Sequence, residues 1–275
     1  MKRILLLFLG TILIISCEDV IDIDPPAEEP RLVVDGLVRV NPESPLIRLG
    51  IKVSETSAFS GEIPPTDLKQ ITLGALVLQD TANPGSGIYE NYFSPVALQQ
   101  GGDNLLQIQH KDQRYLARGY YTPSTRIDTL FQGEGNSFND HTEIVVSFTD
   151  DEELQNFYLL DFGSGNFMVT SDNFYSGKTQ TISYIYDRKL EPGTKLTVSI
   201  LGIDRSFYNY MNKLIEQSQD ETDLFQTPVS TLRGNIINVT EIDNIDYFDN
   251  VDQANNYALG YYAIAETYSK TLVIE

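Results

Sequence analysis

Cys17 is the residue best placed to carry out chemistry, because it is the single cysteine in a chain of 275 residues. Residues 14–17, Ile-Ile-Ser-Cys, have the order of the bacterial lipobox, in which the cysteine thiol is acylated and the chain is cut just before it. Two basic residues and an apolar run precede them, and this run is shorter than the roughly 20 residues of a spanning helix. We therefore predict a signal peptide over residues 1–16 and lipid (palmitate) attachment at Cys17. The alternative is an ordinary signal peptide with an incidental cysteine.

Four aspartates spaced by three residues form the best metal-binding pattern of the sequence: they are Asp243, Asp246, Asp249 and Asp252. Ca²⁺ prefers clustered carboxylate and carbonyl oxygens, so this segment is a weak candidate for a calcium site, as is the Thr-Asp-Asp-Glu-Glu run at 149–153. Neither has the acid spacing and central glycine of an EF-hand. We favour solvated acidic loops and predict neither a metal nor another cofactor.

Acid–base chemistry has few candidates besides carboxylates, because the chain has two histidines, His110 and His141, and no tryptophan. A histidine site needs convergent partners, whereas His110 lies beside a predicted hairpin turn and His141 lies in a loop-like segment. The nucleophile elbow, the phosphate-binding loop and the zinc-protease motif do not occur in the sequence. A glycosidase-like carboxylate pair stays open, although such enzymes usually use a cleft with tryptophan. We predict no catalytic residues and a protein that is not an enzyme.

The charge of the chain restricts its partners. The formal net charge is −20, and removal of residues 1–16 takes away Lys2 and Arg3 and leaves −22. Such a chain repels nucleic acid and anionic membrane surfaces, so that membrane attachment requires the lipid. Residues 17–30 are acidic and contain prolines, which predicts a tether. Acidic residues directly after the cysteine also resemble the signal that sends some lipoproteins to the outer face of the outer membrane.

The elements that must position any site are β-strands. Alternating apolar residues and Gly/Pro/Asn/Asp turns predict strands at 31–40, 46–54, 71–80, 87–93, 104–112, 113–121, 142–150, 156–165, 179–187, 194–204, 255–267 and 269–275. The Tyr-Tyr-Thr-Pro-Ser-Thr segment at 120–125 interrupts this pattern. We predict an all-β chain of two sandwich domains, immunoglobulin-like or transthyretin-like, over 31–124 and 125–275.

One segment of the second predicted domain has helical periodicity. The residues Phe207, Met211, Leu214 and Ile215 recur at the spacing of one helix face, and Asp204 is a suitable N-cap. This pattern predicts an amphipathic helix at about 205–218 whose apolar stripe packs in the core. The alternative is a helix that binds a partner.

Sixteen tyrosines, several of them in pairs, exceed what ordinary cores need. Neighbouring residues of a strand point to opposite faces. We therefore expect one member of each pair, Tyr120 with Tyr121 and Tyr261 with Tyr262, to face outward. Because tyrosine supplies amphipathic contact area, the pattern favours a partner or ligand surface, with ordinary packing as the alternative.

Several motifs, taken in order along the chain, resemble a known family. They are LVVDGLV at 32–38, IDTL at 127–130, FTDDEELQNFYLL at 148–160, SDNFYSGKT at 171–179, LRGNIINVT at 232–240 and ALGYYAIAE at 258–266. Together they resemble domain-of-unknown-function family 4249, whose members are lipoproteins of gram-negative bacteria with SusC/SusD-type uptake systems. The family defines no catalytic residue that can be carried over. Segment 240–256 departs from the family pattern, since it is longer and more acidic.

The resemblance implies a location and a partner. Genes of this family often neighbour those of TonB-dependent outer-membrane transporters. We expect a non-enzymatic lipoprotein, anchored to the outer membrane and facing the cell exterior, that is an accessory component of a TonB-dependent transporter barrel. Its contribution would be substrate capture, capping of the barrel or stabilisation of the complex. A surface adhesin or glycan-binding lipoprotein is the alternative, and a hydrolase ranks third.

Overall fold

The structure is a computed structural model. It describes residues 29–57, 64–80, 84–100, 102, 104–134, 141–152, 155–174, 176–218, 231–242, 244, 247 and 257–275.

Strands make up most of the described residues. The N-terminal part contains β1 (Leu32–Val40), β2 (Ile47–Glu55), β3 (Gln70–Leu73), β4 (Leu76–Val77), β5 (Ile88–Phe93), helix α1 (Pro95–Gln100), β6 (Asn104–His110), β7 (Gln113–Gly119) and β8 (Tyr121–Thr122). The remainder contains β9 (Ile127–Gln132), β10 (Glu143–Thr149), β11 (Phe157–Asp161), β12 (Phe167–Ser171), a 3-10 helix (Asp172–Phe174), β13 (Thr179–Ile185), β14 (Lys195–Ile203), helix α2 (Arg205–Ser218), β15 (Arg233–Asn238) and β16 (Tyr257–Val273). The fold is mostly β, as predicted, whereas its division into two sandwich domains stays a prediction.

The apolar residues that alternate along the predicted strands are the residues that the folded strands bury. In β1 every second residue is buried, and β2 alternates in the same way along most of its length. The two strands pair antiparallel, with Val34 opposite Val53. One face of this pair therefore enters the core and the other carries polar residues.

The longest strand, β16, joins two lobes. Its first part pairs in parallel with β1, up to Val40 opposite Glu266. Its last part pairs antiparallel with β14, starting where Leu201 lies opposite Thr267. A strand of 17 residues spans about 55 Å. We call β1–β8 with β15 and the first part of β16 the first lobe, and β9–β14 with the last part of β16 the second lobe.

The described residues form two sheets. The larger has 13 strands in the order β12-β11-β14-β16-β15-β7-β6-β3-β4, with β1, β2, β5 and β8 attached beside this path. The smaller has the order β13-β10-β9. Ile144, Val146 and Phe148 of β10 pack in one core with Tyr158 and Leu160 of β11. The smaller sheet therefore covers one face of the second lobe.

The cores of the lobes are built from different parts of the chain. The first-lobe core combines residues of β1–β7 with Ile236, Tyr262 and Ile264, which come from the far end of the sequence. The buried second-lobe core uses residues 127–200 and Ile274, with Tyr268 and Leu272 from the end of the chain packed against it. The first lobe therefore depends on β15 and β16 for its completion.

Helix α2 occupies the predicted range, but only part of its apolar stripe is core. Asp204 Oδ1 accepts a hydrogen bond of 2.7 Å from the Phe207 amide, as an N-cap does. Phe207 and Met211 are buried against β11, β14 and β16. Leu214 is 40% exposed, so its assignment to the core was wrong, because the buried contacts involve only the first turns of the helix. In the described residues, no helix is both long and apolar enough to cross a bilayer.

Strand boundaries differ from the predictions where a turn or a distant partner decides them. The predicted strand at 71–80 is divided into β3 and β4 by a turn in which Gly74 has a φ of +56°, a conformation that glycine tolerates best. The two predicted strands at 255–275 are one continuous strand, β16. The hairpin turn predicted near His110 connects β6 and β7.

Candidate functional site

The predicted lipid site, Cys17, lies outside the described residues, as do the signal peptide and all of the tether except Glu29 and Pro30. The residue that follows the tether is held firmly. The Arg31 amide donates to Thr56 Oγ1 at 2.9 Å, and the Thr56 amide donates to the Arg31 carbonyl at 2.9 Å. The tether therefore joins the fold at the start of β1, in the first lobe.

The calcium candidates Asp243, Asp246, Asp249 and Asp252 also lie outside the described residues. Within the ranges that are described, no group of three or more His, Cys, Asp or Glu could hold a metal ion. These ranges include residues 149–152 of the second candidate run, which therefore gathers no such ligand set there.

His110 is buried in a polar cluster rather than solvated beside its turn. Its Nδ1 lies 3.2 Å from the Asp67 carbonyl oxygen, and its Nε2 lies 2.8 Å from Glu55 Oε1. The same Glu55 oxygen accepts a hydrogen bond of 2.5 Å from Lys111 Nζ. Burial opposes ionisation of Glu55, but the hydrogen bonds from Lys111 and His110 outweigh it and lower the pKa of the carboxyl group. The cluster fastens the β6–β7 turn to the end of β2.

His141 lies in the other lobe and is exposed. Its Nδ1 is 2.9 Å from the carbonyl oxygen of Tyr186, a contact that ties the entry of β10 to the end of β13. The structure therefore does not bring the two histidines into one site.

The tyrosine pairs behave differently from each other. Tyr120 is 51% exposed while Tyr121 is half-buried, so this pair has an outward member as expected. In the second pair, Tyr262 is fully buried and Tyr261 packs beneath α2 against Phe207. The expectation was wrong for that pair, because the helix covers the face that alternation alone would leave to solvent.

One candidate for a binding site is a cleft where the two lobes meet, and we call it the junction cleft. Its volume is about 560 Å³, within the range of typical ligand pockets. Among the residues that line it are Arg39, Arg126, Ser199, Tyr268, Ser269 and Lys270. They come from the end of β1, from the segment after β8, from β14 and from the last part of β16. The cleft is therefore built by both lobes and by the strand that joins them.

Ion pairs and a cation–π contact hold the two arginine side chains of the junction cleft. Arg126 Nη2 lies 2.6 Å from Glu43 Oε1, and the Arg126 guanidinium lies over the Tyr268 ring, 5.1 Å from its centroid. Arg39 Nη2 lies 2.6 Å from Asp161 Oδ2. The cations are thus oriented by the fold before any ligand arrives.

A hydrogen-bonded network fixes the aromatic side of the cleft. The Tyr121 hydroxyl donates to Glu266 Oε2, and Tyr268 also bonds to Glu266. Burial, together with the hydrogen bond to Glu266 and its charge, raises the pKa of Tyr268 to about 12. Burial and the Glu266 carboxylate therefore hold the Tyr268 hydroxyl in its protonated form.

A comparison with protein families decides what the chain is related to. The model of the domain of unknown function DUF4249 matches residues 18–245. The chain belongs to this family. No curated protein and no solved structure matches it.

Two of the DUF4249-like motifs, at 148–160 and 171–179, meet in the structure. The carboxylate of Asp150 accepts hydrogen bonds from the Tyr158 hydroxyl at 2.6 Å and from the Gly177 amide at 3.1 Å. The carboxylate of Asp172 accepts one of 2.8 Å from the Asn156 amide. Asp150 and Asp172 are both buried. These family-like residues therefore hold two turns of the second lobe together.

Two further motifs, at 232–240 and 258–266, also meet in this DUF4249 chain. The side chain of Asn235 takes the place of a backbone partner where the β15–β16 register shifts. Its Nδ2 donates to the Tyr262 carbonyl at 2.7 Å, and its Oδ1 accepts from the Tyr262 amide at 2.8 Å. A Cβ on Gly234 would lie 1.6 Å from the Gly260 carbonyl oxygen, so only glycine fits there. Both motifs thus close the first lobe.

Proposed function

We propose that this DUF4249 protein is a lipid-anchored protein of the outer membrane that faces the cell exterior. In this role it serves, without catalysis, as an accessory component of a TonB-dependent transporter. The observation that carries the proposal is the lipobox order at residues 14–17, followed by an acidic tether that joins the fold at the start of β1. A lipid on Cys17 supplies the membrane attachment that a net charge of −22 opposes.

The position of the tether gives the anchored protein an orientation. The tether joins the first lobe, so this lobe lies nearer the membrane. The junction cleft begins at the other end of β1, about 25–30 Å further along the strand. The second lobe lies beyond it. An anchored chain therefore holds the cleft away from the bilayer, where a partner or a solute can reach it.

The partner is proposed from the family resemblance, because DUF4249-like lipoproteins are often encoded beside TonB-dependent transporters. Exposed aromatic side chains supply contact area for such a partner. Tyr92, Tyr120 and Tyr247 are each more than half exposed, and Tyr247 belongs to the acidic segment 240–256. A contact surface with these side chains and this segment fits an accessory subunit.

Affinity purification from native membranes in a mild detergent tests the proposal. The wild-type chain should recover a transporter barrel in near-stoichiometric amount, because an accessory component stays with its barrel. The matched control is Cys17→Ala, which removes the lipid site and leaves residues 31–275 unchanged. This variant should be released from the outer membrane and should lose the barrel.

Recovery of the wild-type chain alone in several mild detergents would contradict the transporter partnership. If deletion of the gene also leaves growth unaffected, the adhesin or glycan-binding alternative becomes the better account.

A further inference from the structure

We infer that the junction cleft binds a hydroxyl-bearing carboxylate of the acidic-saccharide class. Its lining combines cationic side chains, a pair of seryl hydroxyls and one tyrosine ring. The cations would recognise the carboxylate and the seryl hydroxyls the hydroxyl groups of such a molecule, while the tyrosine ring helps to orient Arg126. The inference rests on the proposed function only in taking the bound molecule as a candidate substrate for the transporter.

The described lining of the cleft has more cationic than acidic side chains, whereas the chain as a whole is acidic. Arg39, Arg126 and Lys270 line it, and the single carboxylate in its described lining is that of Glu43. The whole chain has a formal net charge of −20. A protein with this charge repels anions over most of its surface, so a local excess of cations marks a place where a small anion is favoured.

The arginines keep donors available after their ion pairs are made. A guanidinium has five N–H donors in a planar fork, and Arg126 and Arg39 each present one nitrogen, Nη2, to a carboxylate of the fold. The side chain of Arg126 is 68% exposed and that of Arg39 is 38% exposed, so both can be reached from solvent. The planar fork matches a carboxylate, which can accept two parallel hydrogen bonds.

The hydroxyl-bearing part of the ligand is recognised by groups of β14 and β16. Ser199 Oγ and Ser269 Oγ, on directly paired residues, are hydrogen-bonded to each other at 2.8 Å, with Ser199 buried and Ser269 exposed. Each hydroxyl can donate or accept, as sugar hydroxyls also do. The Tyr268 ring helps to orient a cation rather than stacking on the ligand, because the Arg126 guanidinium already lies over it, 5.1 Å from its centroid. A neutral sugar would leave the cations unused, and a plain inorganic anion would leave the seryl hydroxyls unused.

Calorimetric titration of the full chain, purified in a mild non-ionic detergent, tests this inference. The probe is trigalacturonate, and the comparison probes are the uncharged galactotriose and inorganic sulfate. The test variant is Arg126→Gln. The control is Arg48→Gln, because Arg48 is 57% exposed and ion-paired with Glu90 but does not line the junction cleft. Both variants change exposed residues, and unchanged melting temperatures confirm that they are folded.

We expect trigalacturonate to bind saturably and at least about tenfold more tightly than either comparison probe. Arg126→Gln should weaken this binding about tenfold, and Arg48→Gln should leave it unchanged. The inference is overturned by no binding of trigalacturonate, by equal binding of galactotriose or sulfate, or by equal effects of the two variants. No transporter is present in the titration, so its failure would leave the co-purification result untouched.

Discussion

The two lobes reach a complete core in different ways. The second lobe is built almost entirely from one stretch of chain, whereas the first lobe takes Ile236, Tyr262 and Ile264 from a segment more than 100 residues away. The strand that carries Tyr262 and Ile264 then continues into the second lobe. The two lobes therefore share a structural element. The strand β16 completes the core of the first lobe and extends the sheet of the second.

Removal of β15 and β16 should have the largest effect on the stability of the first lobe. A fragment of residues 31–124 lacks β15 and β16, so β1 and β7 each lose a neighbouring strand and the core loses its last residues. We expect this fragment to show no cooperative thermal unfolding by circular dichroism, whereas residues 31–275 melt cooperatively. A cooperative transition of the short fragment would show that the first lobe folds without β16.

Two alanine substitutions in α2 compare a buried with an exposed residue of its apolar stripe. Met211 is buried against the second lobe and β16, so Met211→Ala should cost about 2–5 kcal/mol of unfolding free energy. Leu214 is 40% exposed, so Leu214→Ala should cost less than about 1 kcal/mol. Urea denaturation measures both values. Equal costs would mean that α2 buries its whole stripe, as the periodicity alone predicts.

A tyrosine-to-phenylalanine substitution should change the unfolding free energy differently in the two lobes. In the second lobe the Tyr158 hydroxyl donates to Asp150 at 2.6 Å, so Tyr158→Phe should cost about 1–3 kcal/mol. In the first lobe the buried Tyr262 hydroxyl has no hydrogen-bond partner among the described residues, so Tyr262→Phe should be neutral or stabilising. Chemical denaturation of both variants compares them directly. A destabilised Tyr262→Phe would show that this hydroxyl is paired after all.

The smallest expected effect concerns the polar cluster of the first lobe. The pKa of Glu55 is lowered in the folded chain, so its contribution to stability is present above its ordinary pKa of 4.5 and is lost as the pH falls through the lowered value. Because the side chain is partly solvated, we expect Glu55→Gln to cost about 1 kcal/mol or less at pH 7. Melting curves from pH 7 to about pH 3 should show this difference shrinking. A difference that persists at the lowest pH would place the effect in packing rather than in charge.

Local patterns in the sequence predicted much of the fold but little of the candidate site. Alternation located most strands, and the spacing around Met211 located α2, because these signals lie within a few residues. The failures at Leu214 and Tyr261 depend on which distant element covers a surface. Nothing local connects Arg126 with Tyr268, which are 142 positions apart and meet only because β16 passes the segment after β8. The sequence alone therefore did not predict the junction cleft.

The proposed role depends most directly on lipid attachment, and intact-mass spectrometry of the protein from native membranes tests it. The account predicts a chain that begins at Cys17, lacks residues 1–16 and carries acyl groups on that cysteine. A chain from the same membranes with an unmodified Cys17 thiol would contradict it.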